Sequence, residues 1–179
     1  MAINLPYPAW APEKLDRAYF DSDEALIDKA YEVFCQDTLY NSLFSFRGKQ
    51  IFLAEVQKEN TNSILPNYKG SIQKERTFHH IISEEIKKER DRRRLGRERD
   101  FEIVRCESVP WILPIMLNVK DQFTCIYDYQ KNGETRVNIW SRPLDYVVVL
   151  IKRGSVYLLL TAYNVLYSSK RNDLEKHCH

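Results

Sequence analysis

The chain has 179 residues, with 27 basic and 25 acidic side chains, 44% hydrophobic residues and 29% charged residues, the balance of one folded domain. At this length roughly 70% of the unfolded surface can be buried, which excludes a disordered chain, a disulfide-dependent mini-protein and a multi-domain assembly. Five glycines are too few for a glycine-rich nucleotide loop, and neither G-x-G-x-x-G nor G-x-x-x-x-G-K-[ST] occurs.

Residues 1–20 contain Pro6, Pro8 and Pro12 beside Trp10 and read as an extended strap. The opening MAINLPYPAWAPEK has no basic region followed by an apolar core, so it does not read as a secretory signal. A first helix is expected from Asp21–Asp23 to about Asp37, with Asp23 as N-cap. Leu26, Ile27, Ala30, Tyr31, Phe34 and Cys35 recur at helical spacing and mark its buried face. After Phe44–Phe46, Arg47-Gly48 makes a turn into a short strand, QIFLAEV (50–56). Residues 57–73 read as a polar loop.

A second helix is expected from Lys74 to about Arg94, with Phe78, Ile81, Ile82 and Ile86 toward one side. The stretch Lys87–Asp100 holds eight basic and four acidic residues. Its excess of four positive charges exceeds the net +2 of the whole chain, so the remainder is slightly acidic. Such a run is either a solvated helical face laced with i,i+4 pairs or a phosphate-binding surface, since arginine forks match phosphate oxygens. Arg105 to Leu117 is apolar and punctuated by proline.

Two hairpins follow. Phe123–Tyr129 and Thr135–Trp140 meet across Asn132-Gly133, the signature of a tight primed turn. Tyr146–Lys152 and Ser155–Val165 meet at Arg153-Gly154. In Thr135–Trp140 polar residues alternate with Val137 and Ile139, which predicts one wet face. Val147–Ile151 and Val156–Leu160 are apolar at both parities, which predicts central strands covered on both sides. The tail SSKRNDLEKHCH reads as a frayed helix ending in a mobile His177-Cys178-His179.

Helices first and then an antiparallel sheet of four or five strands is an α+β arrangement. The organisation is one domain over 1–179: the strap at 1–20, a helical half with one strand at 21–122, an antiparallel sheet at 123–166 and a basic tail at 167–179. No segment is long and apolar enough for a membrane helix, the longest run being broken by Lys152, Arg153 and Gly154. The four cysteines, Cys35, Cys106, Cys125 and Cys178, form no C-x-x-C pair. Read as scattered thiols, they suit a reducing compartment and a soluble, cytoplasmic protein.

The candidate chemistry is narrow. Of four histidines, His79 and His80 sit together on the second helix. Adjacent helical residues point about 100° apart, so the two do not easily share a pocket. The plain alternative is a surface pair, and imidazole is otherwise the group best suited to move protons near neutral pH. The last core strand ends Leu160-Thr161-Ala162-Tyr163-Asn164, with Leu159, Thr161 and Tyr163 expected on one face. A two-residue turn would set Thr161 opposite Tyr146 and Tyr163 opposite Leu144. These hydroxyls mark either a strand end becoming wet or the floor of a site. Trp111 is either a core aromatic or a stacking surface for a base. No acidic or His/Asp/Glu grouping has the spacing of a metal site, so neither metal nor cofactor is expected, and no Gly-x-Ser-x-Gly elbow is present.

Several segments, taken in order, resemble the prophage-associated branch of the barnase, EndoU, colicin and RelE-like nucleases (the BECR fold). They are IDKAYEVFCQDTLYNSLFSFRGKQIFL (27–53), RTFHHIIS (76–83), RERDFEIVRCESVPWILPIM (97–116) and VYLLLTAYNVLYSSKRNDLEKH (156–177). The third looks like that branch's Asp-x-x-Arg-Arg-x-Glu-Arg-Ile-x-Trp-type run. The resemblance implies the fold and a toxin-like, metal-independent endoribonuclease that yields a 2′,3′-cyclic phosphate. It places the family's Phe-x-His-Ile pattern on Phe78, His80 and Ile81. The catalytic set it implies is His80, Arg105, Thr161 and Tyr163, with Arg92, Arg93, Arg97, Arg99 and Trp111 contacting RNA. A toxic nuclease would also need a neutralising antitoxin or immunity protein. The chain departs from the pattern at Ser108, where an arginine is expected, and at Asn164, where a second tyrosine is common. The alternatives are a nucleic-acid-binding module without catalysis and a protein-interaction domain on a nuclease scaffold.

Overall fold

The computed structural model describes residues 5–53, 73–85 and 99–178. Helix α1 spans Asp23–Thr38. Its N-cap is Ser22 rather than Asp23: the Ser22 hydroxyl accepts from the Ala25 amide at 3.2 Å, and Asp23 falls in the first turn, where its charge complements the helix dipole. Leu26, Ile27, Ala30 and Phe34 are buried along the expected stripe.

Strands β1 (Ser45–Phe46) and β2 (Lys49–Leu53) flank Arg47-Gly48. Both turn residues have positive φ, 49° and 71°, as a primed hairpin turn requires. Helix α2 spans Gln73–Ile81, so it stops well short of Arg94. Strand β3 (Ser83–Glu85) follows at once and pairs antiparallel with β4 (Arg99–Phe101). The apolar stripe at Phe78, Ile81 and Ile82 is fully buried, but the periodic pattern beyond it does not continue one helix. The basic run from Lys87 to Arg97, including Arg92, Arg93 and Arg97, lies outside the described residues. Arg99 opens β4.

The proline-punctuated stretch becomes α3 (Ile103–Glu107), a 3-10 turn (Val109–Trp111) and α4 (Ile112–Leu117). Four strands follow: β5 (Thr124–Lys131), β6 (Glu134–Ser141), β7 (Tyr146–Arg153) and β8 (Val156–Asn164). Helix α5 (Ser168–Glu175) closes the chain.

The fold is α+β, and the main sheet is larger than expected. Its order is β1-β2-β8-β7-β6-β5, six strands, with β2 parallel to β8 and the other pairs antiparallel. The parallel partner was not foreseeable from hairpin spacing, because β2 and β8 lie about a hundred residues apart.

The two sides of the sheet carry separate cores. Tyr146, Val148 and Leu150 of β7 point into the main core with residues of α1, α2 and α4. Val147 and Val149 point the other way, into a cluster with Cys125, Trp140, Val165 and Leu174 of α5. β7 is therefore buried from Tyr146 to Ile151, as its continuous apolar run predicts. The wet face expected on β6 is absent: Asn138 and Trp140 are buried, and Trp140 shares the second cluster with Leu174 of α5. A disulfide joins Cys125 of β5 to Cys178, with Cα atoms 5.7 Å apart, and His177 stacks on Tyr127 at 4.4 Å. The closing residues are thus tied to the sheet, which corrects the mobile-tail reading. The pairing also removes the four-free-thiols basis for a reducing compartment. Among the described residues, no helix is long and apolar enough to cross a membrane.

Candidate functional site

The end of β8 is where the chemistry collects. The β7–β8 turn is Gly154-Ser155, one residue later than expected, since Arg153 pairs with Val156. A register shift between Val149 and Leu150 then leaves Leu160 as an extra residue on β8, a bulge. Together these place Thr161 opposite Val149 and Tyr163 opposite Val147, not opposite Tyr146 and Leu144. The bulge also breaks the assumed alternation. Leu159 and Ala162 both enter the main core, whereas Leu160 and Tyr163 pack on the second cluster.

A cavity of about 370 Å³ opens at this strand end. Its walls include Arg105 of α3, Glu84 of β3, Tyr163 and Asn164 of β8, and Tyr167, Lys170 and Asp173 at or in α5. The Arg105 guanidinium donates to the Ser83 carbonyl at 2.9 Å and lies 3.8 Å from a Glu84 carboxylate oxygen. It also sits 5.9 Å from the centroid of the Tyr163 ring, and the Lys170 ammonium sits 5.7 Å from the same centroid. Two cations thus converge on one electron-rich ring. Burial, reinforced by nearby Tyr129 and opposed by Arg105, pushes the Tyr163 phenol up to about 12. Near neutral pH it is therefore a hydroxyl donor, not a phenolate.

His80 lies at the end of α2, half-buried, and its backbone carbonyl is 3.5 Å from the Thr161 hydroxyl, at the outer limit of a hydrogen bond. The structure therefore brings Thr161 to the backbone of His80 and Arg105 to the ring of Tyr163. His80 is not among the residues lining the cavity. His79 is almost fully buried, so the two histidines are not a surface pair.

Ser108 and Asn164, the two departures from the family pattern, meet each other. The Asn164 amide donates to the Ser108 hydroxyl at 2.9 Å, and that hydroxyl donates to the Val104 carbonyl at 2.8 Å. Ser108 is fully buried. Trp111 is 7% exposed, meets Tyr146 edge-on at 5.6 Å, and donates its indole N–H to the Pro12 carbonyl at 2.9 Å. It packs in the main core, and at this exposure only a small part of its ring reaches a cavity wall, too little to stack a base.

Sequence reasoning missed Lys170, which it left in a basic tail. The signal was present: Lys170, Leu174 and Cys178 recur every four residues, one helical stripe. Leu174 and Cys178 belong to the second cluster, so the same stripe turns Lys170 toward the sheet. Glu84 and Asp173 carried no sequence signal. No group of three His, Cys, Asp or Glu side chains among the described residues is placed to hold a metal.

In comparisons with known proteins, no family model, curated protein or solved structure matches the chain.

Proposed function

We propose that the cavity at the end of β8 binds RNA at a phosphodiester and that the chain is an endoribonuclease using the substrate's own 2′-hydroxyl as nucleophile. The observation that carries this reading is the convergence of Arg105 and Lys170 on Tyr163, on the strand whose Thr161 reaches the last turn of α2 at His80. Arg105 and Lys170 face the phosphate against the opposing charges of Glu84 and Asp173, and Arg105 turns its donors to the charge that builds on the equatorial oxygens. Tyr163, held neutral, donates to a phosphate oxygen or to the leaving group. The resemblance assigns to His80, at the end of α2 and outside the described cavity walls, the removal of the 2′-hydroxyl proton as the O2′–P bond forms. The P–O5′ bond breaks, and the departing oxygen is protonated to a 5′-hydroxyl, leaving a 2′,3′-cyclic phosphate. The BECR-type fold, a cytoplasmic toxin role and an antitoxin partner belong to this same proposal and rest on the resemblance alone.

The test is incubation with total RNA in EDTA, wild type beside His80→Ala and Arg105→Ala, with analysis of the product ends. Loss of a general acid–base residue lowers the rate about 10²–10⁴-fold, and removal of a transition-state donor has an effect of about 10²–10³-fold. Cleavage by His80→Ala at the wild-type rate removes the histidine from the mechanism.

A second reading, a nucleic-acid-binding module without catalysis, is favoured by one observation. Ser108, where the family pattern leads one to expect an arginine, is buried and bonded to Asn164. That reading predicts salt-sensitive binding and no cyclic-phosphate product.

A further inference from the structure

A second cavity, of about 520 Å³, lies under the N-terminal strap and, among the described residues, shares no lining residue with the first. Its walls are Tyr7, Glu13, Lys14, Asp16, Tyr19 and Trp111. We propose that it is a binding site for a methylated or quaternary ammonium group.

The aromatic side of the cavity is fixed by the strap. The Pro12 carbonyl accepts both the Trp111 indole N–H at 2.9 Å and the Tyr7 hydroxyl at 2.6 Å, so these two rings are joined through one acceptor. The strap is anchored further by the Leu15 amide on the Glu107 carbonyl at 2.9 Å and by the Trp10 indole on Asp121 at 3.0 Å. Tyr19, 84% exposed, supplies the third ring. Aromatic faces attract cations through the ring quadrupole, and cages of such rings suit ammonium groups carrying methyls.

The charge agrees with this. Lys14 is the one cation among the described lining residues, and it is paired at 2.6 Å with the buried Glu107 carboxylate, which also accepts the Arg17 amide at 3.0 Å. With that pair cancelled, Glu13 and Asp16 leave the cavity net negative. An anionic ligand is disfavoured, and a cation is drawn in.

The choice among cations follows from hydration. The ring faces offer no strong acceptor and the Pro12 carbonyl is already taken twice, so a primary ammonium pressed against the rings gives up hydration of its N–H groups and regains only what the Glu13 and Asp16 carboxylates accept, at a desolvation cost. A methylated ammonium has little or no N–H to satisfy and keeps its charge. The volume lies within the range of small-ligand sites, roughly 300–1,000 Å³.

The experiment is titration of the full chain with tetramethylammonium, choline, trimethyl-lysine, lysine and ammonium, followed by calorimetry and by shifts of tyrosine and tryptophan side-chain resonances. Saturable binding of tetramethylammonium is expected, with ammonium and lysine at least about tenfold weaker. Tyr19→Ala combined with Tyr7→Ala removes the binding, Tyr19→Phe retains it, and Glu13→Gln with Asp16→Asn weakens it. Circular dichroism checks that each variant folds; both tyrosines are exposed. Choline against trimethyl-lysine decides whether the source is a small quaternary amine or a modified side chain. Equal affinity for ammonium and tetramethylammonium, no saturable binding, or binding indifferent to loss of both tyrosines overturns the proposal. His80→Ala is expected to bind as wild type, so this site stands or falls apart from the RNA reading.

Discussion

Ser108 has one proton, and the Val104 carbonyl holds it. Its lone pairs are therefore what the Asn164 amide meets, which fixes that amide with its nitrogen toward Ser108. Ser108→Ala leaves a donor on Asn164 without its partner, and the cost of stranding a buried polar group is about 1–3 kcal/mol. Urea denaturation of Ser108→Ala, Asn164→Ala and the double variant is expected to show coupling of the two losses; full additivity would mean that the contact contributes nothing. Both positions stood out in the sequence as departures from a pattern. Their contact was not legible, because 56 residues separate them and only the fold brings α3 to the end of β8. A different residue bears on how stability changes with pH. Asp37 lies in the last turn of α1, where the helix dipole opposes a negative charge, and burial raises its carboxyl from 3.8 to about 6. The native state then binds more protons than the unfolded state between about pH 4 and 6, so this group's contribution falls as pH rises through that window. Asp37→Asn is expected to raise the melting temperature at pH 7 and to flatten the decline from pH 4 to 6, with little effect at pH 4. Parallel stability–pH curves for the two proteins would refute this role.

Among the elements, those defined by neighbouring residues were legible. The turns at Arg47-Gly48 and Asn132-Gly133 adopt positive φ throughout, because glycine preceded by arginine or asparagine between strand-forming runs leaves few other solutions. The strands β5 to β8 fall within about two residues of their expected ends. Three features depended on distant partners and were missed: the early stop of α2, set by β3 pairing with β4; the bulge at Leu160; and the docking of α5. That last element has one buried side chain, Leu174, too little apolar area to hold an eight-residue helix on a sheet by itself. Ion pairs from Arg142 to Glu175 and from Arg171 to Asp145 add to it, but such partly exposed pairs contribute little. The Cys125–Cys178 bond, closing a separation of 53 residues, is the main restraint. Its loss, by dithiothreitol or by Cys178→Ser, is expected to lower stability by about 2–4 kcal/mol. Hydrogen exchange should show α5 amides losing protection while β6 to β8 keep theirs. Unchanged protection in α5 would show that the helix docks without the covalent tie.

For the whole molecule, hydropathy announced an α+β chain with two doubly covered strands; β7 and β8 do lie inside the sheet, but only β7 is buried on both faces, Val156, Leu158 and Leu160 of β8 being half-buried. It did not announce the second core, because the segment that covers that side of the sheet, α5 and the residues after it, has more charged than apolar residues and gives the cluster only Leu174 and Cys178. Charge is where the molecule-wide prediction lies. The net charge is only +2, and the excess of positive charge is confined to Lys87–Asp100, while the cavity at β8 adds Arg105 and Lys170 beside Glu84 and Asp173. If the chain binds RNA as proposed, a net charge so near zero leaves the attraction to local cations, not to the overall field. Each phosphate neutralised on a single strand contributes about 0.7 to the slope of log affinity against log salt. Arg92→Glu with Arg93→Glu is therefore expected to reduce that slope by about 1.4 if both arginines sit on phosphates. Arg105→Ala is expected to reduce it by about 0.7 while lowering the proposed cleavage about 10²–10³-fold. Fluorescence anisotropy with a labelled single-stranded RNA, repeated across a salt series, reads both numbers. Should the double charge reversal leave affinity and slope where they were, the basic run is a solvated face. RNA recognition would then rest on the cavity at β8 alone, and if wild type also binds no RNA, the chain is a protein-interaction domain.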